Sequence, residues 1–324
     1  MTTNSKLITV NRKKSTVTEL TANLKISIMS ITIVALSGLS VAHADDLAQC
    51  NQSFYAGIYP EFTENSKLSK NTQALCFDGF AVMYSGISRT PLWSAEYLTR
   101  ERLTQAKLID RDDSFHEESR LPNSMRAKLA DYSGSGYDRG HLAPNGDMAN
   151  RSQQYDSFSL ANIAPQSPRN NRYIWRNIES ATRYLTQQYG EVYSITGVAF
   201  TDKKAKQLEQ RVLVPSHFYK AVYIPAINQA GVYYAPNDES ERIEVISLDE
   251  LTAQTGIDVM PLLDHQTKSK ALDLPLKAGN EMDPANSNNN NNDNGNDANT
   301  VNKDPEWMVF VMVIIDWLLT QLKA

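Results

Sequence analysis

An α+β fold, with a mainly antiparallel central sheet and flanking helices, is what this sequence predicts, and two observations carry the prediction. Strand-like runs rich in Val, Tyr and Phe follow one another in groups instead of alternating with helices, and one long segment with helical periodicity, residues 171–189, interrupts them. With 324 residues, 41% of them hydrophobic, the chain is long enough to bury one large core or two small ones.

The two ends stand apart from this body. Residues 1–25 carry Lys6, Arg12, Lys13, Lys14 and Lys25 against Glu19 alone, and the apolar run 26–41 and Ala42-His43-Ala44 follow. That order of charge, apolar stretch and small residues is the pattern of a signal peptide, residues 1–44, with cleavage after Ala44; an uncleaved signal anchor and a core helix are the alternatives. Export makes the mature protein periplasmic or secreted. Loss of residues 1–44 removes five positive charges and one negative, moving the formal charge from −5 to −9. An acidic chain argues against sequence-blind binding through a broad basic face, though not against a local phosphate site made by a few arginines and a metal. Cys50 and Cys76 lie just beyond the cleavage point. In an oxidising compartment they read as one disulfide bond, with two separate buried thiols as the other reading.

At the far end, residues 281–305 collapse to Asn, Asp, Gly and Ser, a composition that buries no core and reads as a disordered linker. Residues 306–324 hold an apolar run, 307–315, followed by Asp316 and Trp317-Leu318-Leu319. This falls short of the about 20 apolar residues that span a bilayer, which favours a helix docking on a membrane surface or a partner over a true span. Docking back onto its own domain is the remaining alternative.

Within the body, residues 45–280, the β-prone segment 77–84 is broken by Asp78-Gly79 and leads through Gly86 to 90–98, predicting two strands joined by a turn. Residues 99–126 are polar, charge-mixed and without period, which predicts a long surface excursion carrying Arg111, Phe115, His116 and Glu118. A helix is expected over 152–160, an extended stretch over 160–166, and the long helix 171–189 closed by Gly190. Strands are expected at 191–200, 210–214, 217–224, 231–235 and 244–247, and a helical turn, 248–255, ends at Gly256.

The chemistry centres on Tyr137-Asp138-Arg139-Gly140-His141-Leu142-Ala143-Pro144. A histidine that takes a proton near neutral pH needs a suitable pKa and a fixed tautomer; the glycine beside it allows close backbone approach, and arginine offers a forked donor for phosphate. Taken alone, Asp-Arg-Gly-His is more commonly a structural ion pair near a buried histidine. On the helix 171–189, Ile174, Ile178, Ala181 and Leu185 share a core-facing side, while Arg172, Arg176, Glu179 and Arg183 gather opposite, as an ordinary solvated face also would. Asn171 stands in the first turn, where its side-chain oxygen can reach a metal.

Together, Asp138-Arg139-Gly140-His141, Leu160-Ala161-Asn162-Ile163-Ala164-Pro165-Gln166 and Asn170-Asn171-Arg172, with Trp175 and Glu179 following, closely resemble the DNA/RNA non-specific endonucleases of the ββα-metal superfamily. The resemblance covers roughly residues 50–265 and implies a ββα-metal active-site motif. By it, His141 is the general base that activates water. Asn171 is the protein ligand of one divalent metal, Mg²⁺ with Mn²⁺ or another divalent cation as substitute, whose other positions go to water and phosphate oxygens. Glu179 holds a water of that metal's shell. Arg139 and Asn162 contact or orient the scissile region, Arg183 belongs to the substrate-binding set, and Arg111 matches an upstream arginine that neutralises the phosphate. Asp138 positions Arg139 and its turn.

The expected substrates are DNA and RNA, cut to 5′-phosphate and 3′-hydroxyl ends. A serine-histidine-aspartate hydrolase is excluded because no serine stands in a nucleophile turn, and a zinc site because His141 has no second histidine or cysteine at ligand spacing. Two other readings remain: a phosphodiesterase acting on small substrates, and a catalytically silent surface protein that binds nucleic acid or a partner. Tyr132, Tyr137 and Tyr173 are available to stack on bases or to pack in the core, and His116 to line the groove.

Overall fold

The structure is a computed structural model describing residues 47–63 and 69–278. The expectations for the signal segment, the Asn-rich linker and the segment 306–324 lie outside the described residues. Among those described, no helix is long and apolar enough to cross a membrane.

In chain order the strands used here are β1 (Thr72–Phe77), β2 (Phe80–Ser85), β3 (Thr90–Thr99), β4 (Asp138–His141), β5 (Ile163–Gln166), β6 (Glu191–Ala199), β7 (His217–Ile224), β8 (Gln229–Pro236) and β9 (Glu244–Ile246). Strands β4 and β5 pair only with each other, and the rest form one seven-stranded sheet in the order β9-β8-β7-β6-β3-β2-β1, every pairing antiparallel. The longer helices are α1 (Arg100–Ala106), α2 (Arg151–Ser157), α3 (Arg176–Tyr189) and α4 (Leu248–Thr255). The α+β class and the mainly antiparallel sheet with flanking helices are as the sequence predicts.

Both sheet faces are covered, and the strand alternation follows from it. Along β7, Tyr219, Ala221 and Tyr223 enter the core that also holds Leu47, Phe54, Trp93 and α4 residues Leu248 and Leu251. Phe218, Val222 and Ile224 enter the opposite core, against Ile174, Trp175, Ile178, Ala181 and Leu185. The four core-facing residues expected on the long helix are thus all buried, Ile174, Ile178 and Leu185 each stabilising the docked helix by about 1.5–3 kcal/mol and Ala181 by less. Between Phe218 and Val222, Lys220 points into the same side with no solvent exposure; its Nζ donates to Thr196 Oγ1 (2.5 Å) and Ser194 Oγ (3.3 Å). The fully buried Ser94 and Glu96 of β3 extend this polar stripe under the helix.

Local differences separate expectation from fold. Asp78-Gly79 is a hairpin turn rather than a break in one strand, so β1 adds a third strand where two were expected. The excursion 99–126 opens with helix α1, whose first turn is capped by Thr99 Oγ1 accepting from the Arg102 amide (3.1 Å) and which buries Leu103 and Ala106. The long helix begins with a π-helical turn, Asn170–Trp175, before the regular helix starts at Arg176.

Cys50 and Cys76 form the expected disulfide, closing a 26-residue separation and tying the first described segment to the edge strand β1. Replacing both cysteines by serine is expected to destabilise the fold by about 3 kcal/mol on chain-entropy grounds, read as a lower urea midpoint.

Candidate active site

The β4–β5 hairpin presents the histidine. His141 pairs with Ile163, Gly140 with Ala164, Arg139 with Pro165 and Asp138 with Gln166. A Cβ at position 140 would lie 2.1 Å from Gln166 Oε1, so glycine there is what lets the buried Gln166 side chain cross the hairpin. Gln166 then donates through Nε2 to Asn170 Oδ1 (2.6 Å), linking the hairpin to the π-helical turn.

His141 stands between two aromatic walls, Phe158 edge-on at 5.0 Å between ring centroids and Phe115 tilted at 5.4 Å. The ring is half-buried, but its Nε2 is sealed from solvent and has no hydrogen-bond partner. Burial, reinforced by the charges of Arg111 and Arg139 and opposed by Asp113, lowers its pKa from 6.5 to about 3, so the imidazole is neutral across the physiological range. The two arginines lie over those same walls: the Arg139 guanidinium 4.4 Å from the Phe115 ring centroid, Arg111 5.3 Å from that of Phe158. Arg139 makes no hydrogen bond or ion pair among the described residues, and Arg111 is held by Asp113 (2.6 Å), both well exposed.

Asp138, expected to position Arg139 and its turn, accepts its hydrogen bonds from Asn171 and Arg172 and none from Arg139. On an antiparallel strand adjacent side chains point to opposite faces, and the Asp138 carboxylate turns toward the helix. It accepts two hydrogen bonds from Arg172 (2.7 and 2.8 Å) and one from Asn171 Nδ2 (2.9 Å). Burial opposes its charge, but these donors outweigh it and hold the carboxyl below its ordinary range. The amide of Asn171 is thereby oriented: with Nδ2 engaged, Oδ1 is the atom left to face outward. No group of three His, Cys, Asp or Glu able to hold a metal exists among the described residues, so a cation at the Asn171 amide oxygen would rely on few protein donors. Such a donor fits a hard divalent ion that keeps most of its waters, and not a softer metal that demands imidazole or thiolate.

Two residues expected at the substrate make hydrogen bonds or ion pairs within the protein. Asn162 is fully buried: Oδ1 accepts from the Ala143 amide (2.9 Å) and Ser94 Oγ (2.8 Å), and Nδ2 donates to Ala143 O and Ser157 O (both 2.9 Å). All four of its hydrogen-bonding positions are used, leaving none for substrate. It clamps the backbone two residues beyond His141 to β3 and to the end of α2. Arg183 is partly engaged internally, its Nε on the Asp147 carboxylate and one Nη 3.5 Å from Glu179, while its side chain keeps 29% exposure. The expected solvated face of the helix is therefore only half solvated. Arg172 and Arg176 are exposed, whereas the turn after His141 folds over Glu179 and Arg183. Burial pushes the Glu179 carboxyl up, with Arg183 opposing and Asp147 reinforcing.

Asp147 was not legible as a site residue, since nothing in the sequence pairs it with Arg183. It is 1% exposed, and its carbonyl also accepts from Arg102 Nε (2.8 Å), which reaches on to the buried Glu96 (3.1 Å). A Cβ at Gly146 would stand 2.7 Å from the Arg183 guanidinium, so a larger residue there would push that arginine aside. Asp147→Ala strands Arg183. Because that side chain keeps 29% exposure, the expected loss is at the low end of about 3–5 kcal/mol, measured by urea unfolding, with Asp147→Asn milder.

Residues 60–266 match the DNA/RNA non-specific endonuclease family. Similar proteins include Nuclease C1 of Cunninghamella echinulata (35% identity over 175 residues, covering 49% of this chain and 69% of that one). Human mitochondrial endonuclease G is 32% identical over 203 residues (57% and 68%), and a Nostoc nuclease 31% over 232 (65% and 83%). A solved structure of EndoG in complex with EndoGI aligns with TM-score 0.50 and 25% identity, covering 58% of this chain and 86% of that chain.

Proposed function

The chain belongs to the DNA/RNA non-specific endonuclease family and is a nucleic-acid hydrolase, and on that premise we propose an exported, Mg²⁺-dependent endonuclease in which His141 is the general base and Asn171 the protein ligand of the metal. The observation that carries the residue assignment is the Asp138 to Asn171 hydrogen bond, which presents an amide oxygen in fixed orientation beside the β4–β5 hairpin.

With Nε2 sealed, Nδ1 of His141 is the nitrogen a water in the groove can reach, and the neutral ring accepts that water's proton as its oxygen attacks phosphorus. Cleavage of the bond to the 3′ oxygen yields 5′-phosphate and 3′-hydroxyl ends. Arg139, free of protein carboxylates, and Arg111 supply charge to the phosphate. Glu179 accepts a hydrogen bond from water at the site, while Asn162 and Arg183 act through the groups they position. Bound at Asn171, a divalent cation supplies Lewis-acid stabilisation of the phosphate and leaving oxygen. Export is supported by the pattern of residues 1–44 and by the disulfide, which persists in oxidising compartments.

Purified protein is expected to degrade plasmid DNA and RNA with Mg²⁺, to stop in EDTA, and to resume when Mg²⁺ is added back, leaving ligatable 5′-phosphate ends. Undiminished cleavage in EDTA would falsify the metal assignment. Turnover of nitrophenyl phosphodiesters with none of polymer would favour the small-substrate reading, and binding without cleavage the silent one.

A further inference from the structure

Beside the site lies an exposed aromatic pair. The rings of His116 and Tyr155 lie parallel, 8° apart with centroids at 4.2 Å, and Tyr155 keeps 52% of its surface in solvent. Neither ring belongs to a hydrophobic core cluster, so core packing does not account for the tyrosine.

The pair is nevertheless built rigidly. The His116 amide donates to Phe158 O (3.3 Å), its carbonyl accepts from the Leu160 amide (2.8 Å), and its Nδ1 lies 2.9 Å from Ser114 O. Tyr155 stands in α2, one helical turn before Phe158. The pair is thus tied through backbone and chain adjacency to Phe115 and Phe158, the two rings that flank His141, with Arg111 over Phe158.

We propose that Tyr155, braced from behind by His116, is a stacking platform for the nucleobase adjoining the cleaved phosphate. The inference rests on the nuclease reading and deepens it. Any base offers a π-face, so a bare aromatic surface binds without reading sequence, as a non-specific enzyme with an acidic chain requires. Phosphate contacts through Arg111 and Arg139 supply charge, and the ring supplies grip that salt does not screen. A base that stacks on protein must leave its own stack, so the platform favours single-stranded or distorted substrate.

Tyr155→Ala is expected to raise KM on a single-stranded oligonucleotide by about 5- to 150-fold with little change in kcat, and to narrow the preference for single over double strands. On an oligonucleotide with abasic residues flanking the cleaved bond, the variant and the parent should have the same KM. A 2-aminopurine base in that position, titrated in EDTA so that nothing turns over, should be quenched by the parent, regain most of the quench in Tyr155→Phe, and lose it in Tyr155→Ala. Tyr155→Leu, which keeps apolar bulk without a ring, serves should the alanine variant fail to fold. Parental KM in both non-aromatic variants, or an equal KM rise on the abasic substrate, would overturn the platform. If His141→Ala is inactive while Tyr155→Ala is unchanged, the platform alone falls; if His141→Ala is fully active, the nuclease assignment of the site falls first.

Discussion

His141→Ala is expected to reduce hydrolysis of both plasmid DNA and RNA by at least about 10²–10⁴-fold, the usual contribution of a positioned general base. The fold should survive, because the ring is packed by Phe115 and Phe158 on a hairpin whose backbone pairing is independent of the side chain. Far-UV circular dichroism and the urea midpoint measure that survival. Full activity in a folded His141→Ala protein would sink the assignment of the base.

The same residue sets an acid limit. A base works only unprotonated, and the pKa of His141 is brought down to about 3 by burial and by Arg111 and Arg139. The acid limb of kcat/KM should then lie well below the 6.5 of an ordinary histidine. Stability carries the matching sign: the unfolded chain binds this proton near pH 6.5 and the folded chain only near pH 3, so His141 lowers stability as pH falls through that window. His141→Ala should flatten that part of the stability profile, and Arg111→Gln should move the activity limb upward. An acid limb at pH 6.5 in the parent enzyme would contradict the buried, neutral imidazole.

Why some of this was legible in sequence and some not follows from what each residue depends on. The buried stripe of the long helix is a local property, set by a 3.6-residue period, and Ile174, Ile178, Ala181 and Leu185 obey it. The same period placed Glu179 and Arg183 on the far side, but no period says what else covers that side; the turn carrying Asp147 does. Asn162 has the same cause. Its partners are Ser94, Ala143 and Ser157, far apart in sequence, and only tertiary structure brings them around one amide. Helix α1 was hidden by shortness, since seven residues burying one leucine and one alanine produce no sustained period. Motif order found the family because it records which residues co-occur, whereas composition and charge pointed only away from a broad basic surface.

Asn171 carries the second large effect, and its test separates holding the metal from helping to hold it. Mn²⁺ is the useful probe, since its binding is read by electron paramagnetic resonance without turnover. On the proposed assignment, Asn171→Ala removes the protein ligand of the metal, the amide oxygen, and is expected to abolish detectable Mn²⁺ binding and, with it, activity. Asp138→Ala leaves that oxygen in place but frees the amide to turn and releases Arg172, whose guanidinium then stands near the cation without its counter-charge. Its expected cost is an about 10- to 100-fold weaker Mn²⁺ affinity, the usual effect of losing an orienting partner, with activity recovering at raised metal concentration. Asp138→Asn keeps an acceptor for the Asn171 amide while dropping the charge that balances Arg172, so it should fall between the two. If Asp138→Ala and Asn171→Ala bind Mn²⁺ equally well, neither residue holds the metal; if Asp138→Ala alone loses it, the carboxylate is the ligand and the amide its support.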